Sequence, residues 1–494
     1  MIIVATNIDL FSTFQHYLQP LTTAKIQTTA IHKEAMPKAP LQIVLAYSGG
    51  LDSHVLLHLL SRYKELYPQH DYLAVHVHHG LSANADTWLA HCQLTAAALG
   101  IHFVAEKVIL NVGSRESLEA KARSARYQAI AKHLKGESLL LLGQHLDDQL
   151  ETFLLQLKRG AGVKGLSAMA AQMPFALQAN CQIVRPLLTL PQQSLVDYAT
   201  DRQLSWVEDE SNNDSSYDRN FLRHQVIPSL KQRWPGIANA VHRSAELCAE
   251  QQALADEIAQ LDLVTCEYSF SGLKIVELAK LSKIRRNNVI RFWLASQLLS
   301  MPSRHHLDKL WLEVVNAADD ANPQLSWQAG LFRRYQGVLY HQRKYAALKD
   351  VVIALEHTYS QCIALPDDIG YLYLHSYQQS HLQHQQQNQL QESTPDKAQN
   401  MGKNTLQHTS SCCVRTPLAG EKVTIRFRGE GKCHPVGRSG SRSMKKLYQE
   451  YQVAPWLRDR IPLVYYDDKL VCAVGLWVCK DYAAQQGLCW CLSL

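Results

Sequence analysis

The chain has 494 residues, of which 46% are hydrophobic, so it can bury a large core. A single core stops growing near about 250–300 residues, and we therefore expect two to four domains. The net charge is only +6. No apolar run approaches the roughly 20 residues that span a bilayer, which argues against an integral membrane protein. The amino-terminal segment has no basic start and resembles no signal peptide, so we expect a soluble, cytoplasmic protein.

The cysteine pattern shows no metal-binding or disulfide framework. The chain has twelve cysteines and no CxxC pair. The spacing of Cys412 and Cys413, and that of Cys489 and Cys491, does not suit a zinc ribbon. Scattered cysteines in a chain of this length are typical of a cytosolic protein. We therefore expect ordinary reduced thiols.

The first part of the chain predicts an α/β domain. Residues 1–40 have no clear pattern and are interpreted as an extension or one extra helix. A short apolar run, Gln42–Ser48, ends in two glycines and is followed by an apolar helical stretch. Three further strand-then-helix units begin near Asp71, Ile101 and Ser138. This alternation predicts a doubly wound parallel sheet over residues 41–218.

The remainder of the chain changes character twice. Helical periodicity dominates after Arg219 and predicts a helical middle domain over residues 219–335. Strands return in residues 336–494, which we interpret as a small α+β domain. Residues 377–411 interrupt this domain and are rich in glutamine, with eight between Gln378 and Gln391. Such composition cannot form a packed core, so this insertion is predicted to be disordered.

The basic residues are concentrated near the carboxyl end. Between Glu421 and Arg460 there are ten Lys or Arg and four Asp or Glu, an excess of six that equals the net charge of the whole chain. A concentrated positive field suits a polyanion such as nucleic acid. The alternative is a solvated basic face.

The segment Ser48-Gly49-Gly50-Leu51-Asp52-Ser53 is the central motif. The two glycines permit a tight turn close to a ligand, and the helix that follows offers free N–H groups to an anion. The two serines add hydroxyl donors, but the loop lacks the lysine of a Walker motif. We predict that all six residues bind ATP phosphates, and that Asp52 contacts Mg²⁺. A chance glycine turn is the alternative.

A second group of polar residues lies on one predicted helix. His145, Asp148, Glu151 and Thr152 are three or four positions apart or adjacent, so they share one face. This face follows a strand, where α/β folds place ligands. A solvated helix face with acidic residues at its amino end is the alternative.

Two arginines and three histidines are further candidates. Arg123 and Arg126 lie three apart on a predicted helix, where a guanidinium could neutralise phosphate. The alternative is a surface ion pair between Arg123 and Glu119. His76, His78 and His79 invite a zinc hypothesis, but no cysteine pair or acidic ligand lies beside them. They are interpreted as the rim of a nucleotide pocket.

Several of these segments resemble known families. Ala46–Ser53 resembles the phosphate loop of the N-type ATP pyrophosphatases, also called the PP-loop superfamily. Further segments resemble the tRNA isoleucine lysidine synthetases within it: His76–Ser82 with Asn84–Trp88, Glu119–Tyr127, Gly143–Thr152 with Lys158–Gly162, Glu208–Asn213, Asp218–Arg223, Arg426–Arg428, Lys445–Leu447 and Trp456–Leu463. The resemblance covers residues 42–340 and 415–490.

The resemblance implies an activity, ligands and residue roles. The enzyme would use ATP and Mg²⁺ to adenylate the wobble cytidine of an isoleucine tRNA and then couple free L-lysine to it. The implied catalytic residues are Asp148, His145, Arg123 and Arg126, and Asp148 and Glu151 would bind lysine. The implied tRNA-binding residues are Arg219, Arg223, Arg426, Arg428, Lys445, Lys446 and Arg458. Which of the two helix arginines acts on the phosphates stays open, as does the oligomeric state, a homodimer included.

Two rival functions remain at this stage. One is another enzyme of the superfamily, such as a tRNA thiolase or an amide-forming ligase, although a thiolase of this type usually needs a CxxC pair or a catalytic cysteine near the loop. The other is a non-catalytic RNA-binding protein that retains the nucleotide fold. The intact Ser48–Ser53 and His145–Glu151 segments argue against the second rival.

Overall fold

The computed structural model describes residues 9–22, 40–78, 80, 84–108, 118–208, 210, 214–269, 271–318, 321–355, 361–376, 412–484 and 487–493. The chain divides into two compact units, residues 1–254 and 255–494. The domain boundaries predicted at residues 218 and 335 fall inside these units. The glutamine-rich insertion lies outside the described residues.

The first unit is built from strands that alternate with helices. Its strands are β1 Gln42–Ala46, β2 Asp71–His78, β3 His102–Lys107, β4 Ser138–Leu141, β5 Gln172–Pro174 and β6 Cys181–Val184. Its helices are α1 Leu10–Thr22, α2 Leu51–Leu66, α3 Ala85–Ala98, α4 Leu118–Ala131, α5 Leu146–Lys158, α6 Val163–Leu166, α7 Gln192–Asp201, α8 Asp218–Phe221 and α9 Ile227–Arg233, and the long α10 Ile237–Cys266 continues into the second unit.

The six strands form one sheet in the order β3-β2-β1-β4-β6-β5. All neighbours pair in parallel except β5, which runs antiparallel to β6 at the edge. The chain winds from β1 outward to β3 and then returns to the other side of β1 as β4. The carboxyl ends of β1 and β4 therefore flank the switch point at which such sheets bind ligands. The predicted doubly wound α/β fold is confirmed.

Helices pack an apolar core against this sheet. The strands β1 and β4 are buried throughout or nearly so, as expected for strands covered on both faces. The amino-terminal helix α1 joins the same core through Leu10, Phe14 and Leu18. Of the two interpretations of residues 1–40, an extra helix describes residues 10–22.

The second unit combines helices with antiparallel sheets. Its helices are α11 Ile275–Lys280, α12 Lys283–Ser296, α13 Arg304–Lys309 and α14 Met444–Glu450. Its strands are β7 Glu267–Ser269, β8 Gly272–Lys274, β9 Gln324–Trp327, β10 Gly330–Tyr335, β11 Val338–Gln342, β12 Val352–Leu355, β13 Gln361–Leu365, β14 Gly370–Ser376, β15 Cys412–Val414, β16 Val423–Arg426, β17 Lys432–Cys433, β18 Arg442–Ser443, β19 Leu463–Tyr466, β20 Lys469–Ala473, β21 Trp477–Val478 and β22 Leu488–Ser493.

The middle region is less purely helical than its sequence pattern indicates. Helices α11 to α13 pack on a five-stranded sheet in the order β7-β8-β11-β10-β9. The strands β7 and β8 are only three residues long, so they produce no periodicity that a sequence pattern could reveal. β7 pairs with β8, and β8 also pairs with β11, which lies more than sixty residues further along the chain.

One expectation about the cysteines is wrong. Cys413 and Cys489 are joined by a disulfide. The strands β15 and β22 pair with these two residues directly opposite each other, which brings their Cβ atoms together. No local pattern indicated this pair, because the two cysteines are 76 residues apart. Among the described residues, no helix is both long and apolar enough to cross a membrane.

Candidate functional site

The phosphate loop forms a compact hydrogen-bonded turn between β1 and α2. The Ser53 hydroxyl accepts from the Gly49 N–H (3.1 Å) and donates to the Gly50 carbonyl (3.0 Å). The Ser48 and Ser53 hydroxyl oxygens are 3.0 Å apart. Ser48 is exposed, whereas Ser53 is buried beneath the turn. The predicted loop therefore has the conformation that directs the first N–H groups of α2, beginning at Leu51, outward to an anion.

Only the first of the two loop glycines is conformationally required. Gly49 has a φ of +89°, and a Cβ there would lie 2.6 Å from the Cys92 sulfur. Gly50 has an ordinary φ of −73° and no contact closer than 3.7 Å. A third glycine supports the loop from β4, since a Cβ on Gly143 would lie 3.1–3.2 Å from the backbone of Asp52 and Ser53. Sequence reasoning gave Gly143 no role.

The switch point brings His145 to the phosphate loop. His145 follows β4 and caps α5, where its Nδ1, in the neutral ring, accepts from the Asp147 N–H (3.2 Å). Asp148 closes the capping box by accepting from the His145 N–H (3.1 Å). This local arrangement turns the His145 Nε2 toward two carboxylates, at 3.6 Å from Asp52 and 3.4 Å from Asp148.

These carboxylates favour the charged form of His145. The ring is 1% exposed, and this burial lowers its pKa. The nearby Asp52 carboxylate (3.6 Å) and the charge of Asp148 outweigh burial, so the pKa of His145 lies above its ordinary value. The side chain thus links a phosphate-loop residue to a residue predicted to bind lysine.

The predicted lysine-binding carboxylates are paired with two arginines. Arg223 holds Glu151 through two bonds, Nε–Oε1 at 2.6 Å and Nη2–Oε2 at 3.1 Å. Arg223 also reaches Asp148 at 3.2 Å, and Arg219 approaches Glu151 at 3.1 Å. Burial raises the pKa of Glu151, although Arg223 opposes that rise. Arg219 and Arg223, which the resemblance assigns to tRNA, therefore contact the carboxylates predicted to bind lysine.

The burial of α5 decides between the two interpretations of its polar face. Glu151 is 1% exposed and Asp148 is also buried, so this is not a solvated helix face. The neighbouring Asp147 was not singled out by the sequence, yet it anchors the helix. It accepts from the Gln192 N–H (2.9 Å) and forms an ion pair with Lys231. Burial raises the pKa of Asp147, but these contacts outweigh it and the net shift is downward.

The two arginines of α4 have different surroundings. The Arg123 guanidinium donates to the Tyr127 hydroxyl (3.0 Å) and lies over its ring. Arg126 is the one near β2, since its charge adds to the effect of burial in lowering the pKa of His76. The alternative pairing of Arg123 with Glu119 cannot be compared, because the Glu119 side chain lies outside the described residues.

A third arginine in this region was missed. Arg185 follows β6 and is 2% exposed. Its Nε donates to the Gln144 side chain (2.7 Å) and its Nη1 to the Ala170 carbonyl (2.7 Å). The only sequence signal is a charged residue directly after a buried strand. Arg185 fixes the residue that precedes His145, and so supports the position of the histidine.

The phosphate loop has one acceptor suited to a cation. The Oδ1 atom of Asp52 is buried and has no hydrogen-bond partner in the part of the chain that the structure describes. A buried carboxylate oxygen without a partner is costly, and Mg²⁺ commonly binds such an oxygen beside phosphates. Asp52 therefore fits the predicted magnesium contact. Among the described residues there is no cluster of three or more side chains able to hold a metal, and His79 lies outside them.

The basic residues predicted to bind tRNA in the second unit fall into two groups. Lys445 and Lys446 are exposed on α14, whose Met444, Leu447 and Tyr448 face the core. Arg428 is also exposed and approaches Glu430 at 3.1 Å. The other two make structural contacts.

The side chains of Arg426 and Arg458 form contacts within the second unit. Arg426 donates to the Asp467 carbonyl (2.8 Å) and forms an ion pair with Asp468 (3.0 Å). Arg458 donates weakly to the Val453 carbonyl (3.3 Å). Lys445, Lys446 and Arg428 are thus the better candidates for contact with a polyanion.

Comparison with known proteins covers both units. A model described as the PP-loop domain matches residues 20–230, the TilS substrate binding domain matches residues 273–340, and the TilS substrate C-terminal domain matches residues 423–493. The tRNA(Ile)-lysidine synthase of Shigella flexneri is 42% identical over 446 residues, which cover 90% of this chain and 94% of that protein.

The corresponding protein of Vibrio cholerae serotype O1 is 43% identical over 448 residues, covering 90% of this chain and 92% of that protein. The chain belongs to the tRNA(Ile)-lysidine synthase family. The family and the PP-loop fold predicted from the sequence are thereby confirmed. The predicted enzyme class is the one that both relatives are named for.

A solved structure adds little to this assignment. The U34-tRNA thiolase NcsA from Methanococcus maripaludis is 16% identical, with a TM-score of 0.38, and the match covers 49% of this chain and 78% of that chain. A likeness at this level carries no argument about function.

Proposed function

We propose that this chain ligates L-lysine to C2 of the wobble cytidine of an isoleucine tRNA that reads AUA, forming lysidine. One observation carries the proposal: His145 lies between the phosphate loop and the buried carboxylate of Asp148 on α5. His145 approaches both Asp148 (3.4 Å) and Asp52 (3.6 Å), so an amine and an activated phosphate bound there would be neighbours.

The reaction has two steps. The cytidine O2 attacks the α-phosphorus of ATP, and pyrophosphate leaves into the Ser48–Ser53 turn. The lysine amine then attacks C2 of the adenylated ring, and AMP leaves. The N–H groups at the start of α2 stabilise the leaving pyrophosphate because they are already oriented. Bound Mg²⁺, held by Asp52, would supply further neutralisation of phosphate charge.

The amine site favours Asp148 as the primary lysine contact. Glu151 already faces two guanidiniums, those of Arg219 and Arg223. Asp148 faces one guanidinium, that of Arg223 at 3.2 Å. An incoming ammonium needs a carboxylate partner and must lose a proton before it attacks. Asp148 can orient the amine. His145 lies beside it and, once its ring is neutral, can accept the proton that the amine loses.

Basic residues outside the phosphate loop are proposed to contact the phosphates of ATP and of the tRNA. Arg126, on the side of α4 near His76, is the better placed of the two helix arginines to meet phosphate. The exposed Lys445 and Lys446 suit the tRNA backbone, whose phosphates lysine binds as a point charge.

The substrates ATP, free lysine and tRNA occur together in the cytoplasm, so we propose that compartment. The chemistry requires one chain, and a homodimer is not part of the proposal.

Incubation with ATP, Mg²⁺, labelled lysine and an isoleucine tRNA transcript tests this function. We expect label in the RNA, loss of that label with Asp148→Ala, and retention with Asp197→Ala, a change on α7. Label that remains in free lysine would contradict the proposal. Pyrophosphate release without lysine coupling would instead favour the superfamily rival, and the absence of both would favour a non-catalytic RNA-binding protein.

A further inference from the structure

Two buried cysteines of the second unit bring their sulfur atoms together. The Cys479 thiol donates to the Cys433 sulfur at 2.9 Å. A disulfide bond is about 2.05 Å long, so the sulfurs need to approach by less than about 1 Å to bond. The two residues are 46 positions apart and lie in the core formed around Met444, Leu447 and Trp477.

The backbone around these cysteines is already held in place. The His434 carbonyl accepts from the Lys480 N–H (2.8 Å), and the Val478 carbonyl accepts from the Val436 N–H (3.0 Å). These hydrogen bonds hold residues 434–436, which follow Cys433, beside residues 478–480, which include Cys479. A disulfide forms without strain only where the backbone positions already suit it. The backbone bridge pairs Cys479 with Pro435, two residues after Cys433, and we expect bond formation to leave this pairing unchanged.

We infer that Cys433 and Cys479 are an oxidation site that closes to a disulfide on exposure to a small-molecule disulfide. The Cys433 thiolate attacks one sulfur of oxidised glutathione and releases one glutathione thiolate. The Cys479 thiolate then attacks the Cys433 sulfur of the mixed disulfide and releases the second glutathione. Two electrons pass to the oxidant, and the two thiol protons end on the two glutathione molecules.

The surroundings identify Cys433 as the attacking sulfur. The hydrogen bond from Cys479 lowers the pKa of Cys433, and the thiolate is the nucleophile in such exchange. Cys433 is 7% exposed, and Cys479 is 6% exposed. The oxidant reaches Cys433 when the two-stranded β17–β18 sheet opens, since a sheet of this size is only marginally stable.

The bond would secure a basic hairpin. The strands β17 and β18 pair Lys432 with Ser443 and Cys433 with Arg442, and β18 leads directly into α14 with Lys445 and Lys446. A disulfide at Cys433 ties this hairpin covalently to the segment after β21. It closes a long loop, and such cross-links stabilise a fold chiefly by restricting its unfolded chain.

Peptide mass mapping of the full-length protein tests the site. The protein is equilibrated in glutathione buffers of increasing oxidised fraction, quenched with acid, alkylated while denatured and digested without reductant. We expect a peptide that links Cys433 to Cys479 to accumulate with oxidation. It should be lost in Cys433→Ser and in Cys479→Ala. It should persist in Cys266→Ser, a matched change at another buried cysteine.

The mapping does not depend on variants that fold poorly, because the wild-type chain alone can overturn the inference. Recovery of both residues as alkylated thiols across the whole series would do so, as would a link from Cys479 to Cys472 instead. Thermal unfolding supplies a second readout. Oxidation should raise the midpoint more in the wild type than in Cys433→Ser, because the Cys413–Cys489 bond contributes equally to both.

Discussion

The Arg223 guanidinium forms a two-bond ion pair with the buried carboxylate of Glu151, at 2.6 and 3.1 Å. Arg223 lies in a π-helical turn, Leu222–Val226, and Glu151 lies on α5, 72 residues earlier in the chain. The pair joins the segment after α8 to the helix that carries the proposed lysine site. The charge balance of that site therefore depends on an arginine that the family resemblance places against tRNA.

Removal of this arginine should destabilise the first unit. Arg223→Met leaves Glu151 buried, with Arg219 as its remaining cationic contact among the described residues, and an unsatisfied buried acceptor costs about 1–3 kcal/mol. We expect a loss of that order in the free energy of unfolding measured with urea. Arg233→Met, an exposed change at the end of α9, is the control. Adding Glu151→Gln to Arg223→Met should recover part of the loss, and no recovery would contradict the pairing.

The two loop glycines should respond differently to alanine. Gly49→Ala must accept a positive φ, which costs about 1–2 kcal/mol, and also a clash with the Cys92 sulfur. We expect at least a tenfold fall in ATP-dependent pyrophosphate release and a lower melting temperature. Gly50→Ala has a normal φ and should retain most of the stability. Equal effects of the two changes would contradict the geometry.

Stability should fall as pH rises past the pKa of His145. The folded-state pKa of His145 lies above its ordinary value of 6.5, because Asp52 and Asp148 outweigh burial. The folded state therefore binds the proton more tightly than the unfolded state does. The resulting stabilisation is complete below pH 6.5 and is lost as pH rises through the higher folded-state pKa.

Unfolding in urea between pH 5.5 and 8.5, without Mg²⁺, measures this loss. His145→Asn is the comparison, because asparagine can still cap α5 but does not titrate. The free energy of unfolding of the wild type should fall more steeply with pH than that of the variant. Parallel curves would show that His145 is not held in its charged form.

Substitution of the exposed basic residues of the second unit should weaken tRNA binding. Substitution of a basic residue that contacts its own unit should instead lower the melting temperature. Lys445→Ala and Lys446→Ala should each weaken tRNA binding and reduce its salt dependence by about one released counterion, with the melting temperature unchanged. Arg426→Ala removes bonds to Asp467 and Asp468 and should lower the melting temperature. Lys469→Ala, an exposed lysine of β20, is the control for binding. If the salt dependence of binding is unchanged in both variants, α14 does not contact the tRNA.

Much of the first unit could be predicted because its signals are local. The strand Gln42–Ala46, the Ser48–Ser53 turn and the helix that follows are adjacent in sequence. The shared face of His145, Asp148 and Glu151 follows from helical spacing, and the structure places these residues beside the loop. The family resemblance depended on the same short segments.

The order and burial of the elements could not be predicted in this way. Three features have partners far away in the chain: the short strand β8, the cross-strand pair Cys413–Cys489 and the buried Arg185. A sequence pattern reports the periodicity of one segment, whereas each of these features depends on which segments meet.

The residue types of the candidate site could be read from the sequence: a glycine turn that exposes N–H groups, and a helix face with imidazole and carboxylates. The folded chain was needed to show that the sheet order places these two segments side by side. It was also needed to show that Arg223 and Arg219 pair with Glu151. A turn or a helix face depends on residues adjacent in sequence, whereas burial and charge pairing depend on contacts between distant residues.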